Sequence, residues 1–313
     1  MKKKEGLKEL RIVDNFYQTS GFFPMPTVVV GTVSDSGRTN LGPYSLCFPY
    51  YVAGKGYYAM VLETRNTSNT CRNILRTGKA SINFIPARKR FMKQIVELGY
   101  PGDSTDEKMK NCIFTLVDGV SRRDDPDGVY PKVVAESFQV YECTWMRDLD
   151  NASRDEARET YDPPYHDFNG ITSETGAHFI LRIDHVLAAG KQYDAVINGT
   201  RADNFPAVPV DYGYRDNTRF WIAPFKRPVS FPIPRRQAVD TDTVWFAANR
   251  IDPKVQFTKE ACKKLAGVPR VFLNTALKGC VEWARKNGVS LVTEKEMEMI
   301  RDKRSVEKSV VDR

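Results

Sequence analysis

The chain has 313 residues, 41% of them hydrophobic and 27% charged, with a net charge of +8. Those values describe an ordinary soluble globular protein of one large or two modest domains. No apolar run approaches the roughly 20 residues of a membrane span. The N-terminal MKKKEGLKELRIVDN has charge but no apolar segment behind it, so it does not read as a secretory signal. The six cysteines (47, 71, 112, 143, 262, 280) are scattered without a C-x-x-C, as expected of reduced thiols in a cytoplasmic protein.

In chain order, a short helix is expected over Gly6–Asn15, and Pro24 and Pro26 then lead into Thr27–Val33 (TVVVGTV). This β-branched run predicts a strand buried on both faces. After a turn at Ser34–Arg38, Asn40–Ser45 (NLGPYS) reads as a polar turn, where Gly42 permits close backbone approach and Ser45 offers a hydroxyl. Gly54-Lys55-Gly56 is a turn before a strand at Tyr57–Leu62. Gly54-x-Gly56-x-x-Ala59 matches a dinucleotide fingerprint only formally, because a strand rather than a helix follows it, and a Rossmann fold is rejected. Glu63–Thr70 (ETRNTSNT) sets hydroxyls, amides and one guanidinium before a helix at Asn69–Thr77, with Gly78 as its stop. A helix start of this kind favours an anion through its free N–H groups and dipole.

A strand at Ala80–Ile85 follows, then a partly helical Arg88–Gly99 and a helix opened by the capping-box pair Ser104 and Glu107. Arg122–Tyr130 is a turn-rich loop, and Val133–Trp145 resumes strand character. The polar stretch Arg147–Ser173 reads as an insertion, helical over Ala152–Thr160. Ala177–Ala189 is a long strand, Ile197–Arg215 an irregular arm, and Phe220–Ile222 a final strand. Four prolines in Pro224–Pro234 mark a linker. Beyond it the period turns helical. Thr258 caps Thr258–Leu265, Pro269 opens a helix striped by Leu273, Leu277, Cys280, Val281 and Ala284, and Thr293 with Glu296 opens the last. From Lys254 to Arg313 there are 14 Lys and Arg against 8 Asp and Glu, an excess that suits an acidic partner or a solvated helical surface. No aromatic–basic stacking pattern supports nucleic-acid binding.

Taken together, N-x-x-P-Y-S (Asn40–Ser45), T-x-x-N-I (Thr70, Asn73, Ile74), T-G (Thr77, Gly78), I-N (Ile82, Asn83), Glu142-Cys143 and Gly176-Ala177-His178 resemble the flavin reductase-like family. Ala177 stands where that family has an acid. The resemblance covers about residues 20–190 and more weakly reaches 223. It implies an FMN-binding split β-barrel, of mainly β or α+β class, over residues 1–223, with insertions near 147–173 and 197–215. A linker is expected at 224–250, a helical module at 251–304 and a tail at 305–313. The module, through W-A-R-K-N-G (Trp283–Gly288) and V-T-E-K-E (Val292–Glu296), resembles the small helical domain of light-independent protochlorophyllide reductase subunits.

The resemblance places Asn40, Leu41, Gly42, Pro43, Tyr44 and Ser45 at the flavin ring, and Thr64, Arg65, Asn66, Ser68, Asn69 and Thr70 at its phosphate. Without it, a polar turn and an ordinarily capped helix account for the same residues. His178 takes the family's histidine position, near nicotinamide or substrate, although a structural histidine accounts for it equally well. His178 and His185, seven apart on one strand, are expected on opposite faces, which argues against a shared metal, and no other cluster suggests one. The activity implied is NAD(P)H-dependent flavin reduction in a homodimer. A flavoredoxin-type carrier serving a redox partner, or an enzyme for a small organic acceptor, are the rivals. Neither nucleic acid nor membrane is expected as a partner.

Overall fold

The computed structural model describes residues 9, 24–50, 57–100, 104–147, 169–214, 218–225, 241–268 and 270–311. The expected helix at 6–15, the turn at 54–56, the helix at 152–160, Pro269 and most of the Pro-rich linker lie outside the described residues. The chain divides into two compact units, Met1–Ser230 and Phe231–Arg313.

The first unit is built on one curled antiparallel sheet. Its chain runs through β1 (Met25–Pro26), β2 (Val28–Val33), β3 (Thr39–Tyr44), β4 (Cys47–Tyr50) and β5 (Ala59–Arg65) into helix α1 (Asn69–Thr77). There follow β6 (Lys79–Phe84), α2 (Lys89–Leu98), α3 (Thr105–Lys110), β7 (Leu116–Val117), α4 (Val120–Asp124), β8 (Val133–Val134) and β9 (Gln139–Trp145). The unit closes with β10 (Gly170–Ile171), β11 (Gly176–Ala188), α5 (Gly190–Asn198), β12 (Pro209–Tyr214) and β13 (Phe220–Pro224). The main sheet has the order β3-β2-β6-β9-β11-β5-β4, with β10 paired to β11. Strands β3 and β4 are therefore opposite edges, yet only residues 45 and 46 join them. So short a link is possible only if the sheet rolls until its edges approach, which makes a barrel.

Every residue of β2 is buried, because both of its faces are covered. Inside the barrel Val28, Val30, Leu62, Ile82, Phe179 and Leu181 pack around Cys71 and Ile74 of α1. On the other face of β2, Val29 and Leu41 pack against Phe91, Ile95 and Leu98 of α2. Each large apolar side chain so buried contributes about 1.5–3 kcal/mol. Asn40–Tyr44 of the NLGPYS stretch lie in strand β3, not in the turn expected, and only Ser45 falls beyond it. Pro43 lies opposite Val29 on an edge strand, where a missing N–H costs no ladder bond. The stretch 197–215 is likewise not irregular throughout, since α5 ends at Asn198 and β12 pairs with β1 and β13.

Glu142, buried on β9, accepts the Val120 and Ser121 N–H groups of α4 at 3.0 and 3.3 Å. Gly119 makes this possible, because a Cβ there would lie 2.2 Å from Glu142 Oε1. Beside it Cys143 is buried, and burial pushes its thiol well above the usual range; Cys47 is pushed to about 12 by the same cause. Neither thiol is poised as a nucleophile.

A bulge in β11 between Ile183 and His185 sets His185 opposite Glu142, while Ile183 pairs with Cys143. The extra residue inverts the alternation beyond it, so His178 and His185 share the outer face, contrary to the expectation from their spacing. Seven residues along a strand still separate them by roughly 23 Å. No group of His, Cys, Asp and Glu able to hold a metal occurs among the described residues.

The second unit comprises α6 (Thr241–Asn249), β14 (Gln256–Phe257), α7 (Lys259–Leu265), α8 (Arg270–Lys286), β15 (Leu291–Val292) and α9 (Glu294–Val311). The predicted stripe Leu273, Leu277, Cys280, Val281 and Ala284 is buried with Val244 and Ala248 of α6. Helix α6 thus belongs to this unit's core, although the sequence places it in the linker. The unit is also not wholly helical, because β14 and β15 form a small parallel pair. Thr258 caps α7 by accepting from Ala261 N at 3.2 Å, and Thr293 N donates to Glu296 at 2.9 Å, as their spacings predict.

Candidate functional site

The site is built where β5 passes into α1. Alternation along β5 sends Leu62 and Thr64 into the barrel and leaves Glu63 and Arg65 exposed outside. A short turn at 66–68 then reverses the chain into the helix. Ser68 is the N-cap, its Oγ accepting from Cys71 N at 3.1 Å, and Gly78 ends the helix at φ 67° with its N–H on Ile74 O. Tyr44 O–H also donates to Ser68 Oγ, at 3.4 Å. Accepting from both still leaves the Ser68 hydroxyl one proton that it can donate. Burial raises the Tyr44 phenol above its ordinary value, and its bonds to Ser68 and Thr70 only partly offset that, so the ring donates rather than ionises.

The residues expected at the phosphate fall into two layers. Arg65 is exposed, and Asn66, Ser68 and Asn69 are half-buried at the rim. Thr64 and Thr70 lie beneath, only 4% and 2% exposed. Thr64 Oγ1 is buried with no nitrogen or oxygen partner, and the weakly polar Cys71 thiol lies against it. Thr70 packs under β3, where its Oγ1 would lie 2.9 Å from a Cβ on Gly42. The glycine is thus needed for the close approach of strand and helix rather than for a ligand.

The ring-edge residues are also divided. Asn40 and Leu41 have no exposed surface and cannot touch a ligand, which corrects the expectation for both. Asn40 Oδ1 receives Thr105 Oγ1 at 3.4 Å, and its Nδ2 donates to Thr32 Oγ1 at 3.5 Å. Asn73 Nδ2 donates to the same Thr32 oxygen at 3.0 Å. The two motif asparagines therefore tie β3, β2 and α1 into one buried network. Leu41 belongs to the core under α2, and Pro43 lies near Gly99 at the end of that helix. Tyr44 and Ser45 remain half-buried at the crossing from β3 to β4.

His178 lies opposite Glu63 across the β11–β5 pair and opposite Gly170 across β10. Its Nδ1 is 2.6 Å from Thr172 Oγ1 and its Nε2 3.8 Å from Glu63 Oε2. Asn66 fastens the 172–176 turn to this edge, its N donating to Thr175 O at 3.1 Å and its Nδ2 to Glu174 O at 2.5 Å. Asn66 is thus a strap between two loops. The sequence reading missed Thr172 entirely, since only the register of β10 on β11 brings it to the imidazole.

No protein-family model and no curated protein sequence matches the chain. Solved structures do. Nitrilotriacetate monooxygenase component B from Bacillus cereus superposes with a TM-score of 0.50 at 14% identity, over 72% of this chain and 100% of that one. The 2-nitrobenzoate 2-nitroreductase of Pseudomonas fluorescens gives 0.49 at 15% identity, over 72% and 93%. Flavoredoxin from Methanosarcina acetivorans gives 0.48 at 13%, over 72% and 95%. The likeness is one of fold, and on it the first unit is a split β-barrel of the flavin reductase type, followed in the chain by a second, mainly helical unit.

Proposed function

We propose that the chain is an FMN-dependent oxidoreductase whose cofactor phosphate sits at the β5–α1 turn. The observation that carries the reading is Ser68, a helix N-cap whose hydroxyl accepts from both Cys71 N and Tyr44 O–H. Its own proton, the guanidinium of exposed Arg65 and the first N–H groups of α1 form a set of donors with no carboxylate in the turn at 64–69. A phosphate fits such donors, and the dipole of a nine-residue helix adds to the attraction. Tyr44 and Ser45 would border the ring, and Asn66 would hold the turn in shape. When bound, FMN accepts a hydride directly from a stacked donor, so the protein contributes chiefly orientation. That requirement agrees with a site served by few ionisable groups, of which His178 would be a candidate for proton exchange.

NAD(P)H is the hydride source in this reading, with flavin, a redox partner or a small organic molecule as acceptor. The fold shared with a nitrilotriacetate monooxygenase component B supports the general chemistry. A homodimer in the cytoplasm remains part of the proposal. A second reading, a flavin electron carrier for an acidic partner protein, is supported by the second unit, which has its own core and a basic excess. Anaerobic mixing of the flavin-loaded protein with NADH or NADPH separates the two. Rapid bleaching supports the reductase; bleaching by dithionite alone supports the carrier. Failure to take up FMN under any condition refutes both.

A further inference from the structure

We propose that Thr172 and Glu63 are positioning residues that fix the tautomer and orientation of the His178 imidazole, and that the 170–176 hairpin is thereby part of the site. The inference rests on the flavin reading only for what the imidazole faces; the contacts themselves stand without it.

Backbone register forces the arrangement. His178 is the outward residue on β11 flanked by strands on both sides, with Glu63 directly opposite on β5 and Gly170 opposite on β10. Directly opposed side chains in an antiparallel pair start about 4.5–5.5 Å apart at Cβ, so Glu63 and His178 meet without special conformations. On the other side the hairpin turns back just beyond Ile171 and presents Thr172 to Nδ1 at 2.6 Å. The turn itself is held by Gly176 N on Ser173 Oγ at 2.8 Å and by the two Asn66 bonds. Asn66 also belongs to the loop that carries Arg65 and Ser68, so one framework places both the anion donors and the imidazole.

The chemistry of the two contacts selects one neutral tautomer. At 3.8 Å the Glu63 carboxylate acts on the ring through its charge and not through a hydrogen bond, and that charge favours the proton on Nε2, facing it. Nδ1 then carries the lone pair and accepts from the Thr172 hydroxyl, which can donate. Among the described residues, Glu63 on β5 is a charged group facing the ring, at 3.8 Å from Nε2. The His178 side chain is 17% exposed and that of Glu63 46%, so the pair is open at one edge instead of sealed in a core. A histidine serving only to pack needs neither contact.

The test uses the full-length chain labelled with nitrogen-15 and long-range proton–nitrogen spectra of its histidine rings. The chain has only three histidines, at 166, 178 and 185, and His178→Gln identifies the resonances. The expected result is the Nε2–H tautomer for neutral His178, retained in Thr172→Ser and in Thr172→Val, with the Nδ1 resonance shifted only in Thr172→Val, where its hydroxyl partner is lost. Glu63→Gln should admit the other tautomer, because the charge that favours the proton on Nε2 is lost. An Nδ1–H tautomer in the unmutated protein overturns the proposal, even if no variant folds. An Nδ1 resonance that does not move in folded Thr172→Val overturns it too. The spectra need no flavin. If the tautomer is as expected but added FMN leaves every His178 resonance unmoved, the positioning claim stands and the flavin reading at this edge fails.

Discussion

Replacing Ser68 separates the two roles given to it. Ser68→Ala removes the N-cap of α1 and the acceptor of the Tyr44 hydroxyl, at 3.1 and 3.4 Å. Cap loss costs about 1 kcal/mol, within a range of roughly 0.5–2, and the long Tyr44 bond adds a few tenths. For a unit of about this size the melting point should fall by roughly 2–8 °C. Ser68→Asp behaves differently. Aspartate caps as well as serine and its charge suits the helix N-terminus, so stability should stay within about 0.5 kcal/mol. The same carboxylate opposes a phosphate. At about 4 Å the repulsion is ~1 kcal/mol per charge pair in water and ~4 at an intermediate dielectric, so FMN affinity should drop at least about tenfold. Thermal unfolding followed by circular dichroism reads the first quantity, and quenching of flavin fluorescence reads the second, with riboflavin as the phosphate-free control. A folded Ser68→Asp protein that binds FMN as tightly as the unmutated chain would falsify the phosphate assignment.

Arg65→Ala should leave the stability within about 0.5 kcal/mol, as for an exposed side chain, and should weaken FMN far more than riboflavin; equal loss for both would move Arg65 away from the phosphate. Thr64→Val replaces a buried hydroxyl that has no nitrogen or oxygen partner, so denaturant unfolding should show a gain of about 1 kcal/mol with FMN affinity little changed, and a clear loss of affinity would mean that Thr64 reaches the ligand. Gly119→Ala puts a methyl 2.2 Å from Glu142 Oε1 and should cost about 2–4 kcal/mol in the same assay; a neutral outcome would show that the carboxylate can leave the α4 N–H groups freely.

The parts of this protein legible in the sequence are those fixed by local chemistry. Helix α1 was bounded correctly because Ser68 and Gly78 act on their own neighbours, one by capping and one by its left-handed φ. The same holds for the boxes at Ser104 and Thr293 and for the apolar stripe of α8. What the sequence could not show depends on register. Asn40 resembles a ligand contact in a polar run, yet pairing of β3 with β2 turns it inward to Thr32. Thr172 has no motif, and it joins His178 only because β10 folds onto β11. The bulge at Ile183 changes the face of His185 with no glycine or proline to announce it. Helix α6 escaped because its apolar residues Val244 and Ala248 follow closely on a proline-rich run that dominated the reading.

Diffraction from crystals of the full-length chain grown with FMN tests the central claim most directly. The account predicts the phosphate at the start of α1, within hydrogen-bond distance of Ser68 Oγ, the Arg65 guanidinium and the backbone N–H of Asn69, with the ring extending toward Tyr44 and Ser45. FMN bound with its phosphate elsewhere, or no bound flavin at saturating concentration, would contradict it.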